Sequence, residues 1–320
     1  MDFEGQYTMR RLVAICGFLV CTALMAALVA GCARQPEDFD GQRAYKHVLA
    51  QCALGPRPVG SPQGRQTADY VSTELRRAGW TVEVQDFDYR GVSARNLIAA
   101  KGRGPLFILG AHYDTRSLAD RDPEDPTLPV PGANDGASGV AVLLELARVL
   151  DVDKAGVQVW LAFFDAEDQG GINGWPFSVG ASYMAEHLAV QPTAVVVVDM
   201  VGDREQEILW EGFSDATLLR ELWAIAADLG YEAAFVPQRR SGIMDDHVPF
   251  VQRRLVAVDI IDLDYPYWHT LQDTPDKVSP ASLQRVGRVL EKWLEERPYG
   301  RNLSALPTQS NAFGGLNESC

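Results

Sequence analysis

Basic residues are scarce in this sequence of 320 residues. Its 29 Lys and Arg residues are outnumbered by 43 Asp and Glu residues, which gives a formal net charge of −14. Nucleic-acid binding needs clustered Lys and Arg side chains to neutralise phosphates, so the composition excludes a nucleic-acid partner. The sequence also has no internal repeat, which excludes a repeat architecture.

Cysteines are too few and too scattered to form a disulfide framework. Cys16, Cys21 and Cys32 lie in or beside an N-terminal apolar segment, and Cys320 is the final residue. Cys52 alone lies in the remaining part of the chain. A disulfide between Cys52 and Cys320 is open, because nothing in the sequence requires it.

The N-terminus has the pattern of an export signal. Arg10 and Arg11 precede an apolar run from Leu12 to Ala30, and Gly31-Cys32 closes it. This order of a charged region, an apolar region and small residues predicts a signal peptide over residues 1–31, cleaved before Cys32. It resembles the bacterial lipoprotein signal, which implies lipidation of Cys32, a membrane-anchored protein and an extracytoplasmic location. An uncleaved membrane anchor is the alternative, because the run is nearly long enough to span a bilayer.

The body of the chain alternates strands and helices. Apolar runs predict buried strands at 106–111, 157–164, 194–198 and 255–261, and helical periodicity lies between them. Further strands are predicted at 82–89, 96–100 and 207–210. We therefore expect one domain over residues 42–300, preceded by a tether at 32–41 and followed by a disordered tail at 301–320. The expected fold is α/β, a three-layer αβα sandwich with a central mixed, mostly parallel sheet. The acidic segment 117–131 lacks the regular ligand spacing of a calcium loop, so we expect it to be solvated.

Acidic and histidine side chains follow the predicted strands at the points where they end. Because ligands bind at the carboxyl ends of parallel strands, these side chains are expected to lie at one edge of the sheet. A single Asp after a strand more often caps a helix, but the whole set predicts a site for a divalent cation. The set comprises His112, Asp114, Asp135, Glu167, Asp168, Asp199 and His269.

The neighbours Glu167 and Asp168 are expected to have different roles. Side chains diverge where a strand ends, so one carboxylate can bind a metal while the other stands beside it without contact. The longer Glu167 suits a proton shuttle and the shorter Asp168 suits a ligand. Asp114 is expected to orient His112 as a hydrogen-bond acceptor rather than to bind the metal.

In its order and residue types this set resembles the zinc-dependent aminopeptidase family M28. The resemblance extends from about Tyr45 to Leu294. It implies that Glu167 is the general base and that Asp135 bridges two zinc ions. The other zinc ligands implied for a two-zinc enzyme are His112, Asp168, Asp199 and His269.

Further motifs resemble the glutaminyl-peptide cyclotransferase branch of that family, namely 244–250, 267–270 and Trp175. This resemblance implies one zinc ion, bound by Asp135, Asp168 and His269. It also implies that Asp199 and Asp245 form a carboxylate network beside Glu167, and that Trp175 and Trp268 line the substrate pocket. Motif alignment alone selects Asp245 over Asp246.

The sequence departs from the animal enzymes of this branch at two positions. They carry Glu-Glu where this chain has Glu167-Asp168, and a second histidine near the position of Asp259. Both tryptophans could instead belong to the core, as tryptophans usually do. His247 is expected to be a structural hydrogen-bond partner.

The activity that the resemblance implies is cyclisation of N-terminal glutamine to pyroglutamate, with release of ammonia. The substrates would be peptides or proteins that begin with glutamine, and we expect the enzyme to be a monomer. Two alternatives stay open: a two-zinc aminopeptidase, and a non-catalytic binding module on the same scaffold.

Overall fold

Eight β-strands lie within residues 38–296, the part of the chain that the computed structural model describes. They are β1 (Thr81–Tyr89), β2 (Val92–Gly102), β3 (Leu106–His112), β4 (Gln158–Phe164), β5 (Ala194–Asp199), β6 (Ile208–Trp210), β7 (Phe235–Arg239) and β8 (Ala257–Ile261). Six of them form one sheet in the order β1-β2-β4-β3-β5-β8. β3 pairs in parallel with β4 and β5, and β5 pairs in parallel with β8. The β1–β2 and β2–β4 pairs are antiparallel, so the sheet is mixed and mostly parallel, as the sequence predicts.

Helices cover this sheet on both faces. In chain order they are α1 (Gly41–Ala53), α2 (Pro62–Arg77), α3 (Ala137–Val149), α4 (Val152–Ala155), α5 (Val179–Glu186), α6 (Ala216–Asp228), α7 (Val248–Gln252) and α8 (Pro280–Glu296). Short 3₁₀ turns occur at Ile172–Gly174 and Pro275–Lys277. Among the described residues, no helix combines the length and the apolar character needed to cross a bilayer.

The alternation of side chains along β3 shows the three layers. All seven residues of β3 are buried. Phe107 and Leu109 belong to the large hydrophobic cluster that contains α1, α3 and α8, whereas Leu106 and Ile108 belong to a cluster with α5 and α7. Successive side chains of a strand point to opposite faces, so helices lie on both sides and the α/β sandwich is confirmed.

The folded unit begins earlier than the sequence predicts. Within the described range, residues 39–296 form one compact unit. Phe39 is 2% exposed and packs on α8 at Gly287, where an added Cβ would lie 2.2 Å from its ring. Asp40 caps α1 by accepting hydrogen bonds from the backbone of Gln42 and Arg43. Residues 39–41 therefore belong to the body, not to the predicted tether.

Several predictions fall on residues outside the described range of 38–296. These are the signal peptide at 1–31, lipidation at Cys32, most of the tether, the disordered tail at 301–320 and the pairing of Cys52 with Cys320. They stay predictions.

One strand was missed, because its sequence carries little strand signal. β7 has the sequence Phe-Val-Pro-Gln-Arg, with a proline and two polar residues among five, and most of it is exposed. It pairs with β6 in a separate two-stranded sheet. The predicted strand at Glu207–Trp210 therefore exists as β6, outside the main sheet.

Candidate active site

Three parallel strands bring the predicted residues to one edge of the sheet. His112 is the last residue of β3, and Asp199 is the last residue of β5. Glu167 and Asp168 follow β4, which ends at Phe164. All four side chains are buried, at the position that parallel α/β sheets use for ligands.

Asp135 and His269 reach the same place from loops. Asp135 lies two residues before α3, and Gly136 between them has φ 93°. An added Cβ at Gly136 would lie 2.6 Å from the carbonyl oxygen of Asp114 and 3.3 Å from the His112 ring. Glycine is therefore required next to Asp135, because the chain passes directly over the end of β3.

Asp135, Asp168 and His269 form a group that can hold a metal ion, with candidate ligand atoms within 4.8 Å of one another. His269 Nε2 lies 3.2 Å from Asp168 Oδ1 and 3.8 Å from Asp135 Oδ2. A tetrahedral zinc ion with bonds near 2 Å holds its ligand atoms roughly 3.3 Å apart, so the spacing fits zinc.

Unpartnered buried atoms in this group also fit a cation. Asp135 Oδ2 and Asp168 Oδ2 are buried and have no hydrogen-bond partner among the described residues. Burial and the charge of Asp135 raise the pKa of Asp168 to about 6, against an ordinary value of 3.8. Buried carboxylate oxygens need a proton, a donor or a cation, and the mixed nitrogen and oxygen donor set suits zinc.

A second group shares Asp135. His112, Asp135 and Asp199 also place candidate ligand atoms within 4.8 Å of one another. His112 Nε2 lies 3.2 Å from Asp135 Oδ1 and 3.0 Å from Asp199 Oδ1. Asp135 thus directs one oxygen to each group, and the residues provide ligands for one ion or for two.

Glu167 stands beside the metal ligands in a cluster of its own with Asp245 and Asp246. Burial raises the pKa of Glu167 well above its ordinary value, and the charges of Asp245 and Asp246 raise it further, against the opposing charge of His112. A raised pKa makes this carboxyl a stronger base, as the acceptor of a proton in a shuttle needs to be. The alignment selects Asp245 alone, but the structure buries Asp245 and Asp246 together at this position.

Asp114 connects the ends of two strands. Its Oδ1 and Oδ2 accept hydrogen bonds from the backbone nitrogens of Glu167 and Asp168 at 3.0 and 3.2 Å. Its Oδ1 also lies 3.6 Å from His112 Nδ1. Asp114 therefore fixes the turn that presents Glu167 and Asp168, a role that the sequence does not reveal.

The backbone is strained at this edge of the sheet. Ala166, Met200 and His269 have φ values of 60°, 45° and 59°. Non-glycine residues seldom adopt this left-handed conformation, which costs on the order of 1 kcal/mol or more at each position. Ala166 precedes Glu167, Met200 follows Asp199, and the third strained residue is His269 itself. The strained backbone therefore directs these three side chains.

Asp120, in the segment predicted to be solvated, and Arg116, just before that segment, support the site. Asp120 Oδ1 lies 3.4 Å from His269 Nδ1, on the side of the ring away from the ligand atom. Arg116 donates to both oxygens of Asp120, at 2.8 and 2.6 Å, and to Asp168 Oδ1 at 3.4 Å. Asp120 is exposed, as predicted for this segment, but its contact with His269 was not predicted, because an Asp in an acid-rich loop has no pattern that marks such a contact.

Asp273 holds the loop that carries Asp135. Its two oxygens accept hydrogen bonds from the backbone nitrogens of Asn134 and Asp135 at 2.8 and 3.1 Å. Tyr265 Oη donates to the same carboxylate at 2.7 Å. Burial, together with the charge of Asp135, raises the pKa of Asp273 to about 7.

His247 is held between two buried acids, away from the metal ligands. Its Nε2 lies 2.9 Å from Glu211 Oε2, and its Nδ1 lies 3.7 Å from Asp259 Oδ2. His247 therefore lies between two carboxylates, and its role as a hydrogen-bond partner stays a prediction.

A cavity of about 310 Å³ opens over the candidate ligands. Its floor consists of acids and His269, and its walls are apolar. The wall residues are Phe177, Met200, Ile243, Met244, Ile261, Leu263 and Trp268. Arg121 stacks on Trp268, with its guanidinium carbon 4.0 Å from the ring centroid, and so fixes the indole.

The structure does not bring Trp175 to this cavity. Trp175 packs against Tyr89, with ring centroids 4.9 Å apart, in a cluster with Phe87 and Ala166. Its backbone nitrogen and oxygen bond to Ile172 and Gly171, which fixes this turn against β1. The prediction that Trp175 lines the cavity was wrong for this arrangement, and Phe177 supplies the aromatic wall instead.

Removal of metal is expected to make stability fall as pH rises. In the metal-free protein Asp168, Asp245 and Asp273 have pKa values of about 6, 7 and 7, against 3.8 ordinarily. The folded state therefore binds more protons at these three groups than the unfolded state does between these values, so their contribution to stability is greatest below about pH 4 and is lost as pH rises towards 7. Thermal unfolding at about pH 5 and pH 8, with chelator or with zinc, measures this. Equal pH dependence in both forms would contradict it.

Comparison with known proteins agrees with this geometry. The model of peptidase family M28 matches residues 96–294. The curated glutaminyl-peptide cyclotransferase of Drosophila melanogaster is 25% identical over 278 residues, covering 74% of this chain and 76% of that protein.

Solved structures are similar over most of the chain. Glutaminyl cyclase of Bacteroides thetaiotaomicron is 30% identical, with a TM-score of 0.77, over 82% of this chain and all of that chain. A Zn-dependent exopeptidase of Parabacteroides distasonis is 29% identical, with a TM-score of 0.76, over 82% of this chain and all of that chain. With the family match across most of the described chain, these similarities show that the protein belongs to peptidase family M28, a zinc-dependent family.

Proposed function

We propose that this protein is a zinc-dependent glutaminyl-peptide cyclotransferase, which converts N-terminal glutamine of peptides and proteins to pyroglutamate. One observation carries the proposal. Glu167, a buried carboxyl with a raised pKa, stands beside the ligand group of Asp135, Asp168 and His269. The cyclotransferase and the glutaminyl cyclase among the similar proteins support it.

The residues account for each step of cyclisation. Zinc held by Asp135, Asp168 and His269 would supply Lewis acidity towards the γ-amide carbonyl. Glu167 takes the proton that the α-amine loses as its nitrogen bonds to the γ-carbonyl carbon. When the bond to the amide nitrogen breaks, Glu167 returns that proton to the departing ammonia, so protons balance.

The cavity suits an intramolecular reaction. Both reacting groups belong to one glutamine residue, so proximity is provided by the substrate and no water has to be activated. The apolar walls, which include Trp268 and Phe177, hold the side chain of the substrate and exclude water.

A two-zinc aminopeptidase is the second candidate, and a specific observation favours it. His112, Asp135 and Asp199 form the additional ligand group, and one of the similar structures is a Zn-dependent exopeptidase. A non-catalytic binding module is disfavoured, because degenerate members lose ligands or the base, and this chain retains all of them.

Zinc content and activity measured on one sample separate these candidates. We expect the zinc-loaded protein to release ammonia from a peptide that begins with glutamine, with loss of one ammonia mass from the peptide. We expect no turnover of a panel of aminoacyl anilides. Anilide cleavage without ammonia release, at two zinc ions per chain, would instead establish the aminopeptidase.

We also propose that the protein acts as a monomer on the extracytoplasmic side of a membrane, anchored by lipid at Cys32. The apolar run that precedes Gly31-Cys32 in the sequence supports this proposal. Labelling with a fatty acid that the Cys32→Ser protein fails to incorporate tests the anchor, and light scattering of the purified protein tests the monomer.

A further inference from the structure

The cavity over the metal ligands shares part of its wall with a second cavity, which has a volume of about 600 Å³. Ile243 and Leu263 line both cavities. The second cavity is otherwise lined by polar residues, namely Gln238, Arg239, Arg240 and Ser241. A peptide whose first residue lies at the metal therefore has this second cavity directly beyond the wall formed by Ile243 and Leu263.

The charged side chains that line the second cavity are both guanidinium groups, Arg239 and Arg240. Arg240 faces Asp264, with contacts of 3.2 and 3.1 Å. Arg239 donates to the carbonyl oxygen of Gly212, and within the described part of the chain no carboxylate lies within 4 Å of it. The cavity therefore has an excess of positive charge in a protein whose net charge is −14.

Pairing with β6 fixes the backbone at both arginines. Arg239 ends β7, opposite Trp210 of β6, and the nitrogen of Arg240 donates to the carbonyl of Trp210 at 2.9 Å. In the Arg240–Asp264 pair, Arg240 is 24% exposed and Asp264 is 59% exposed, so solvent reaches the carboxylate and a carboxylate of the ligand can take its place.

We infer that the second cavity binds the side chains that follow the N-terminal glutamine, and that it selects acidic ones. The inference rests on the proposed function, since it names the class of peptide that the site accepts. The acids at the metal, Glu167 and Asp245 among them, and the net negative charge of the protein repel acidic peptides. Arg239 and Arg240 offset that repulsion where the peptide leaves the site. A basic side chain at the same place would meet one carboxylate, Asp264, and two cations.

Three peptides that differ only in charge test this inference with the full-length, zinc-loaded protein. They are Gln-Glu-Glu-Phe-amide, Gln-Ala-Ala-Phe-amide and Gln-Lys-Lys-Phe-amide, and kcat/KM is measured from ammonia release. We expect the Glu peptide to exceed the Lys peptide by about fivefold, as for one exposed ion pair. The ratio is expected to fall towards one between about 0.05 and 0.5 M salt.

Variants assign the effect to the cavity. Arg239→Gln is expected to reduce the ratio of the Glu peptide to the Lys peptide, and Asp264→Asn is expected to increase it. Arg204→Gln, at an exposed arginine that lines a different cavity, is the matched control and is expected to change nothing. A ratio that is the same in the parent and in Arg239→Gln overturns the inference and leaves the cyclase activity established. Zinc-loaded protein that cyclises none of the peptides overturns the proposed function, and the inference with it.

Discussion

Replacing Glu167 with glutamine is expected to lower kcat for cyclisation by about 10²–10⁴-fold, the usual contribution of a positioned proton shuttle. Glutamine has nearly the same size but cannot take a proton from the α-amine. Because Glu167 lies outside both ligand groups of His112, Asp135, Asp168, Asp199 and His269, the variant should bind as much zinc as the parent.

Ammonia release and zinc content measured on the same preparation check this prediction. Glu186→Gln provides a matched control, since Glu186 is an exposed glutamate at the end of α5. If Glu167→Gln turned over the peptide at the parent rate, the assignment of Glu167 would be wrong. If neither the parent protein nor Glu167→Gln showed turnover, the non-catalytic binding module would become the better interpretation.

Replacing Glu211 with alanine is expected to lower the free energy of unfolding by about 3–5 kcal/mol, the usual effect of breaking a buried charge pair from one side. The Glu211 carboxylate is fully buried and accepts hydrogen bonds from the backbone of Phe213, Ser214 and Ile243. It also contacts His247 at 2.9 Å. Alanine would leave all of these donors buried without a partner.

Denaturant unfolding at one fixed zinc concentration measures the loss, with the exposed Glu232→Ala as control. Burial raises the pKa of Glu211, but the hydrogen bond and charge of His247 and the backbone donors outweigh it and lower that pKa to about 2. The stabilisation by this carboxylate is therefore complete above its ordinary pKa of 4.5 and is lost as pH falls towards 2. A loss below about 1 kcal/mol, as for a surface pair, would show that the carboxylate does not anchor this segment.

The fold class, and the position of most candidate metal ligands at one edge of the sheet, could be predicted from sequence for a physical reason. A strand that is buried on both faces is apolar throughout, so the polar residue that ends it stands out, as His112 does after β3 and Asp199 after β5. His269 lies eight residues beyond the end of β8, and motif resemblance rather than strand pattern was needed to place it.

The residues that support the ligands could not be predicted, because their role depends on contacts between distant segments. Asp273, near a 3₁₀ turn, looks like a surface residue in the sequence but is buried against Asp135, and the exposed Asp120 carries no sequence mark of its contact with His269. The contacts of Arg57 could not be predicted either. Arg57 is a charged residue in a proline-rich stretch, yet it is fully buried and donates to the carbonyls of Tyr113 and Gly132. Trp175 is the opposite case. The motif predicts that it lines the cavity, but in the structure it packs against Tyr89.

Because Asp135 offers one oxygen to each ligand group, the two metal positions cannot fill independently. An ion at either position withdraws charge from the shared carboxylate, so the second ion meets a poorer ligand and a neighbouring cation. Zinc uptake should therefore be anticooperative, with a tight first step and a weaker second one. If both groups bind zinc, a one-ion and a two-ion form would be successive occupancies of one protein, and the free zinc concentration would set the balance between them.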